Sequence, residues 1–207
     1  MKQIFTMDVE KDIDAAVACA AQLTKNGIHG EFYICGYLVE KYPEKCKKIA
    51  KNHTVGGHGY YHENFAMLPL KEQKRLIKNT VTIFAKHGMK MEGWRFPRLD
   101  FTNKSLSLLA RMGIYDSSFN RQVWKRWGHF IFLRNWLSNL KRGQFFFPYL
   151  IPLELIEKPW DNVDLEDTEF YKKSGRLMMH CWEFKKYEKY LFSQKTKNTK
   201  VDVDNHA

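Results

Sequence analysis

The chain has 207 residues, 44% hydrophobic and 15% aromatic, which excludes an intrinsically disordered polymer and is enough for a single domain to bury a sizeable core. No apolar run approaches the ~18 residues that a membrane span requires, so a soluble protein is expected. A net charge of +11 and a pI near 9.4 favour acidic partners such as nucleic acid, anionic lipid or an acidic polymer, and charge alone does not choose among them.

The opening MKQIFTMDVEKD turns acidic within ten residues and lacks the apolar region of a secretory signal, so cytoplasmic residence is the default expectation. Residues 3–9, QIFTMDV, are rich in β-formers, and DIDAAVACAAQLTKNG then shows helical spacing of apolar residues with a glycine stop. EFYICG reads as a second strand, LVEKYPEKCKKIAKN as one or two short helices, and TVGG as a brief strand. PLKEQKRLIKNTVTIFAKHG predicts an amphipathic helix from Pro69, MEGWRF a strand, NKSLSLLARMG a helix closed by Gly113, and IYDSS another strand. The cysteines Cys19, Cys35, Cys46 and Cys181 have no C-x-x-C spacing and read as reduced, mostly buried thiols.

The regularity is lost across residues 117–153, where RQVWKRWGHFIFLRNWLSNLKRGQFFFPYLIP has six Lys or Arg, many aromatics and no acid. That composition suits a substrate wall, a single-stranded nucleic-acid platform or an aromatic core layer with basic edges. Regular structure resumes with LELIEKPW, a helix near residues 164–173, the strand GRLMMHCW and a last helix WEFKKYEKYLF. Residues 193–207 are expected to form a disordered polar tail, leaving residues 1–192 as one domain.

Strands alternating with helices through short connections specify parallel strands with right-handed crossovers, in an open doubly wound sheet or a barrel. Function then belongs at the carboxyl ends of the strands, where Asp8, His58 and Arg95 fall.

Chemistry concentrates there. His58 and His62 lie four apart in GGHGYYHENF, a spacing that lets two imidazoles share one metal ion on a helical turn. Asp8 and Glu10 lie two apart at a strand end, so both carboxylates project from one face, one suited to complete a metal site and the other to remove a proton from water. Arg95, leaving the strand in GWRFPRLD, is able to hold a carboxylate bidentately. His180 follows three apolar residues in LMMHCWEF, and its near-neutral pKa suits it to protonate a leaving group if it faces the site rather than the core.

In this order the segments TMDVE, HGYYH, RFPR and MMH, over roughly residues 3–190, resemble the polysaccharide deacetylases, the NodB-type carbohydrate esterases. Their counterparts in that family are T-F-D-D-G, H-S/T-x-x-H, R-x-P-Y and L-x-H. The resemblance implies a distorted, incomplete (β/α) barrel, one divalent ion, most often zinc, and removal of an acetyl group from an N-acetylated sugar.

It further implies metal ligands His58, His62 and a carboxylate, with Asp8 as base, Arg95 orienting Asp8, and His180 as acid. Val9 stands in place of the family's second aspartate, leaving Glu10 or Asp8 as the carboxylate ligand; Glu10 is taken as ligand and Asp8 as base. Arg98 replaces the tyrosine of R-x-P-Y, whose backbone N–H faces the oxyanion, and its side chain would suit an anionic or phosphate-bearing substrate. Trp160, in PWDNVD, loosely matches the family's tryptophan motif on the substrate wall. Two alternatives stay open: hydrolysis of another C–N bond such as a cyclic amide or ureide, or a basic binder of nucleic acid or an anionic surface with a vestigial metal site.

Overall fold

A computed structural model describes residues 4–118, 150–152, 176–185 and 188. Strand β1, Ile4–Val9, is extended because its β-branched and aromatic residues alternate between two packed layers. Phe5, Met7 and Val9 face the main apolar cluster, while Thr6 and Asp8 point to the opposite, polar interior and are buried as well. Helix α1, Ile13–Lys25, starts at Asp12, whose carboxylate accepts the Ala15 N–H at 2.9 Å, and packs Ala16, Cys19, Ala20 and Leu23 on the strand layer.

Strand β2, Gly30–Ile34, is buried along its whole length. The next segment forms two helices, α2 over Gly36–Lys41 and α3 over Pro43–Ala50. The break falls at Tyr42 because the ring of Pro43 drives the preceding residue out of the helical region, to φ −132° and ψ 53°. Strand β3, Thr54–Gly57, leads into the histidine loop, and helix α4, Leu70–Lys86, begins immediately after Pro69. Strand β4, Gly93–Trp94, helix α5, Asn103–Arg111, and strand β5, Tyr115–Asp116, complete the amino-terminal portion; Thr102 and Ser105 close a reciprocal cap on α5.

Two strands follow. Residues 117–153, expected to lack regular elements, contain strand β6, Leu150–Pro152, which pairs in parallel with β7, Arg176–His180. Three residues carry no period that a sequence pattern reveals, and Pro152 is tolerated because β6 stands last in the strand order among the described residues, the edge position at which a sheet accepts proline. Strands β4 and β5 are shorter than the six and five residues expected. Their ladder gives way to other bonds: Arg95 N–H donates to the Gly57 carbonyl, Ser117 N–H to the Trp94 carbonyl, and Phe96 N–H to the Ser118 hydroxyl. The expected last helix is entered through a 3-10 turn, Cys181–Glu183, and residues 184, 185 and 188 are α-helical. The helix near 164–173, Trp160 and the tail lie outside the described residues.

The seven strands form one parallel sheet in the order β5-β4-β3-β2-β1-β7-β6. Its two edges do not meet among the described residues, so of the two architectures that the alternating pattern leaves open this is the incomplete barrel that the resemblance implies. One apolar cluster fills the space between β1, β2, β7 and helices α1 to α3, and a second gathers Phe65, Trp94, Phe96, Phe101 and Leu109 under α4 and α5. All four cysteines are buried and free. Their burial pushes each thiol's pKa upward, Cys46 and Cys181 to about 12.

Candidate active site

Parallel pairing places Asp8 of β1 beside His180 of β7 and Tyr33 of β2, at the carboxyl ends of three adjacent strands. Glu10 follows β1, and His58 follows β3. The polar side of β1 therefore delivers two carboxylates to one rim, whereas Val9 between them is fully buried in the apolar core. A carboxylate at position 9 would face hydrocarbon, which is why the alternation leaves position 10 as the partner of position 8 on this rim.

Glu10 is the centre of a histidine cluster. Its Oε1 lies 3.0 Å from His62 Nε2, 3.4 Å from His180 Nε2 and 3.6 Å from His58 Nε2. Burial alone would raise its carboxyl pKa, but the histidines gathered around it, His180 foremost, outweigh burial and hold it well below the usual carboxylate range. His62 reaches this point from a left-handed backbone, φ 67°, a strained state for a residue with a Cβ.

Asp8 is engaged differently. Its Oδ1 accepts Arg95 Nη1–H at 2.5 Å, and its Oδ2 lies 3.8 Å from His58 Nε2. Arg95 is completely buried at the end of β4 and spends its remaining donors on Thr6 Oγ1 (2.7 Å), Ser117 Oγ (2.9 Å) and the Ser117 carbonyl (3.2 Å), with its guanidinium 4.2 Å above the Tyr33 ring. All three guanidinium nitrogens are therefore engaged, through four of the five N–H donors, and these bonds fix the orientation of the side chain.

The residues fit a divalent cation. His58 directs Nδ1 to the Arg95 carbonyl at 3.0 Å, which makes Nδ1 the donor and leaves a lone pair on Nε2. That Nε2 is buried and has no hydrogen-bond partner, an orphaned acceptor aimed at Glu10. Ligand atoms of Glu10, His58 and His62 all lie within 4.8 Å of one another, and two imidazoles with a carboxylate are a donor set suited to zinc. His53 shows the contrast. Buried to a similar degree, it accepts the Gly30 N–H on Nδ1 and contacts the Ala20 carbonyl through Nε2, so both its nitrogens are used within the core.

His180 faces Glu10 across this cluster. Its backbone N–H and its Nδ1 both bond Glu183 Oε2, at 2.8 and 3.0 Å. Burial would lower its pKa, but the neighbouring carboxylates Glu10, Asp8 and Glu183 outweigh that and raise it to about 9. Trp182 stacks on the imidazole with ring centroids 4.4 Å apart, and Lys11 Nζ lies 4.5 Å from the centre of the indole ring.

The sequence profile of the family described as polysaccharide deacetylase matches residues 8–116. The chain belongs to this family. A peptidoglycan deacetylase from Helicobacter pylori is 30% identical over 155 residues, which cover 67% of this chain and 50% of that protein. The chain thus spans about half the length of the curated relative it matches. Among solved structures, a CE4 family pseudoenzyme from Bacillus anthracis superposes with a TM-score of 0.62 at 15% identity, covering 95% of this chain and 60% of that one. A family 4 carbohydrate esterase from Streptomyces lividans, in complex with acetate, gives 0.57 at 15% identity, covering 86% of this chain and 78% of that one. Identities this low speak to the fold alone, and one of these folds belongs to a pseudoenzyme, so the fold does not fix activity and the side chains at the rim do.

Of the polysaccharide deacetylase residues expected from the sequence, Asp8, Glu10, His58, His62, Arg95 and His180 converge on one rim. Arg98 lies on the exposed turn after β4 in a left-handed conformation, φ 59°, without a contact to the cluster, and Trp160 lies outside the described residues. Sequence reasoning missed Thr6, Ser117 and Glu183. Thr6 shares the strand face of Asp8, a period-2 signal already present in TMD, and Glu183 falls three residues after His180, the spacing of one turn. Nothing in the sequence marks Ser117 as a partner of Arg95.

Proposed function

We propose that this chain hydrolyses the amide of an N-acetylated sugar in a polysaccharide, releasing acetate and leaving the free amine. The observation that carries this reading is the convergence of two separately held carboxylates and three histidines on one strand-end rim, with the His58 Nε2 lone pair left over. Membership of the deacetylase family and the name of the Helicobacter pylori relative support a peptidoglycan-type polymer as substrate.

His58, His62 and Glu10 would hold the divalent ion, zinc by the chemistry of the donor set, which when bound supplies Lewis-acid polarisation of the amide carbonyl and acidifies water. The remaining steps fall to the chain's own groups. Asp8 accepts the proton of the attacking water on Oδ2, since its Oδ1 is tied to Arg95. Arg95 orients that carboxylate and supplies the positive charge beside it. His180, whose protonated form the Asp8 and Glu183 carboxylates favour, donates from Nε2 to the departing nitrogen, while Glu183 fixes the ring through Nδ1. The backbone N–H of Arg98, outside the cluster, is the candidate donor to the developing oxyanion.

The test is elemental analysis of the purified protein together with acetate release from N-acetylglucosamine oligomers and from peptidoglycan fragments. Stoichiometric zinc with acetate release on either substrate is the expected result. Release of ammonia or ring opening from a cyclic ureide, with no acetate from the sugars, would replace this reading with the other C–N hydrolase.

A further inference from the structure

Tyr61 stands beside His62 and is 68% exposed, more open than Trp182, the other exposed aromatic residue at the rim among the described residues. An exposed ring this large leaves apolar surface in water, and here the loop is built to keep it there. The Gly36 and Tyr37 N–H groups bond the Gly59 and Tyr60 carbonyls, and the Tyr60 N–H bonds Glu63 Oε2 at 2.8 Å, so the loop is pinned to the start of α2 and to itself.

The two left-handed residues, Gly59 at φ 73° and His62 at φ 67°, reverse the chain on either side of Tyr60 and Tyr61. Through that reversal one short loop presents His62 to Glu10 and Tyr61 to solvent. The ring is also supported from behind. Tyr37 stacks on it with centroids 5.6 Å apart and an interplanar angle of 27°, and Tyr60 meets it edge-on at 4.4 Å. Tyr37 in turn donates its hydroxyl to the Glu10 backbone carbonyl at 2.5 Å. The platform is therefore tied to the same residue that gathers the three imidazoles.

Trp182, the other exposed ring at the rim, is less available. It is already stacked on His180 and has the Lys11 ammonium over it. Its exposure is 36%.

We propose that Tyr61 is a sugar-stacking platform, a subsite that takes the apolar C–H face of a pyranose ring next to the residue being deacetylated and so sets the enzyme's preference for polymer over monomer. The choice of a sugar rests on the deacetylase reading above. A planar ring fixed from behind loses little entropy when it binds, and the C–H face of a pyranose supplies weak C–H contacts to the aromatic face without demanding hydrogen bonds.

The test uses the metal-loaded full chain and a tetramer of N-acetylglucosamine. Binding to Asp8→Asn and to Asp8→Asn combined with Tyr61→Ala, Tyr61→Leu or Tyr61→Phe is followed by titration calorimetry, and acetate release by the single Tyr61 variants gives kcat and KM. The expected result is about tenfold weaker binding and a comparable rise in KM for the Ala and Leu variants, with kcat and metal content held and the Phe variant close to wild type. Equal binding by the Ala variant would overturn the proposal, and so would wild-type-like binding by the Leu variant, since the flat face would then be irrelevant. Loss of metal from the Ala variant would overturn it too, because the ring would be shaping His62 rather than holding sugar. Binding that weakens as expected while Asp8-intact protein releases no acetate would leave the subsite standing and remove the deacetylase reading.

Discussion

His58 donates Nδ1–H to the backbone carbonyl of Arg95 at 3.0 Å, while the Arg95 side chain holds Asp8. One residue at the end of β4 thus serves both halves of the site, setting the tautomer of a ligand histidine through its main chain and the orientation of a carboxylate through its side chain. The two roles separate on substitution. Arg95→Lys keeps the carbonyl but replaces a planar fork with a single ammonium, which cannot reach Asp8, Thr6 and Ser117 together. Metal content should stay stoichiometric while kcat falls about 10- to 100-fold. Arg95→Met should cost stability as well, about 3–5 kcal/mol in urea denaturation, because Asp8 then stays buried without the guanidinium bonded to it.

Metal binding and proton transfer should likewise come apart among the histidines. His58→Ala and His62→Ala remove members of the cluster that gathers within 4.8 Å, so zinc should be lost on dialysis. His180→Ala should retain zinc and lose about 10²- to 10⁴-fold in turnover. Zinc per chain measured beside the rates decides the matter, and equal metal loss from all three variants would sink the division of roles.

Most of this rim was legible in the sequence because its residues sit at strand ends, and strand ends follow from alternating β and α patterns without any knowledge of packing. Asp8 and Glu10 share a face by the period of two alone. Val9, the departure that made the carboxylate ligand ambiguous, finds its explanation only in three dimensions, where it fills the core between β1 and α1. Strand β6 was invisible because three residues hold no periodicity and its partner β7 lies more than twenty residues downstream. Ser117 was invisible for a similar reason: its hydroxyl meets Arg95 only because β4 and β5 pair in register, a long-range relation that no local pattern encodes.

The paired glycines before His58 are a further demand of packing. A Cβ on Gly56 would lie 2.6 Å from the Tyr33 ring and 2.8 Å from the Gly93 carbonyl oxygen, and the carbonyl is backbone that cannot swing aside. Gly56→Ala should therefore push β3 from β4, with a loss of about 1–3 kcal/mol in chemical denaturation. Because Gly57 carries the carbonyl that pairs with Arg95 N–H, metal affinity should weaken along with stability. Unchanged denaturation would mean that the two strands have more room than their geometry allows.

Glu183 gives the last separation, this time in pH. The His180 pKa is about 9, against an ordinary value of 6.5, because Glu10, Asp8 and Glu183 outweigh its burial. A group whose pKa is raised by folding adds stability in full below its unfolded value and loses that contribution as the pH climbs through its folded value. The metal-free protein should therefore lose this increment between about pH 6.5 and pH 9. Glu183→Gln removes a carboxylate that bonds both Nδ1 and the backbone N–H, so the His180 pKa should move down and the stability loss should begin at lower pH. Titration of the His180 ring by NMR in the metal-free protein reads the shift directly. In the metal-loaded enzyme the same substitution should bring the basic limb of the kcat profile to lower pH, since less of the ring is protonated to serve the leaving nitrogen. A ring that titrates identically in wild type and Glu183→Gln would mean that Glu10 and Asp8 alone set its charge.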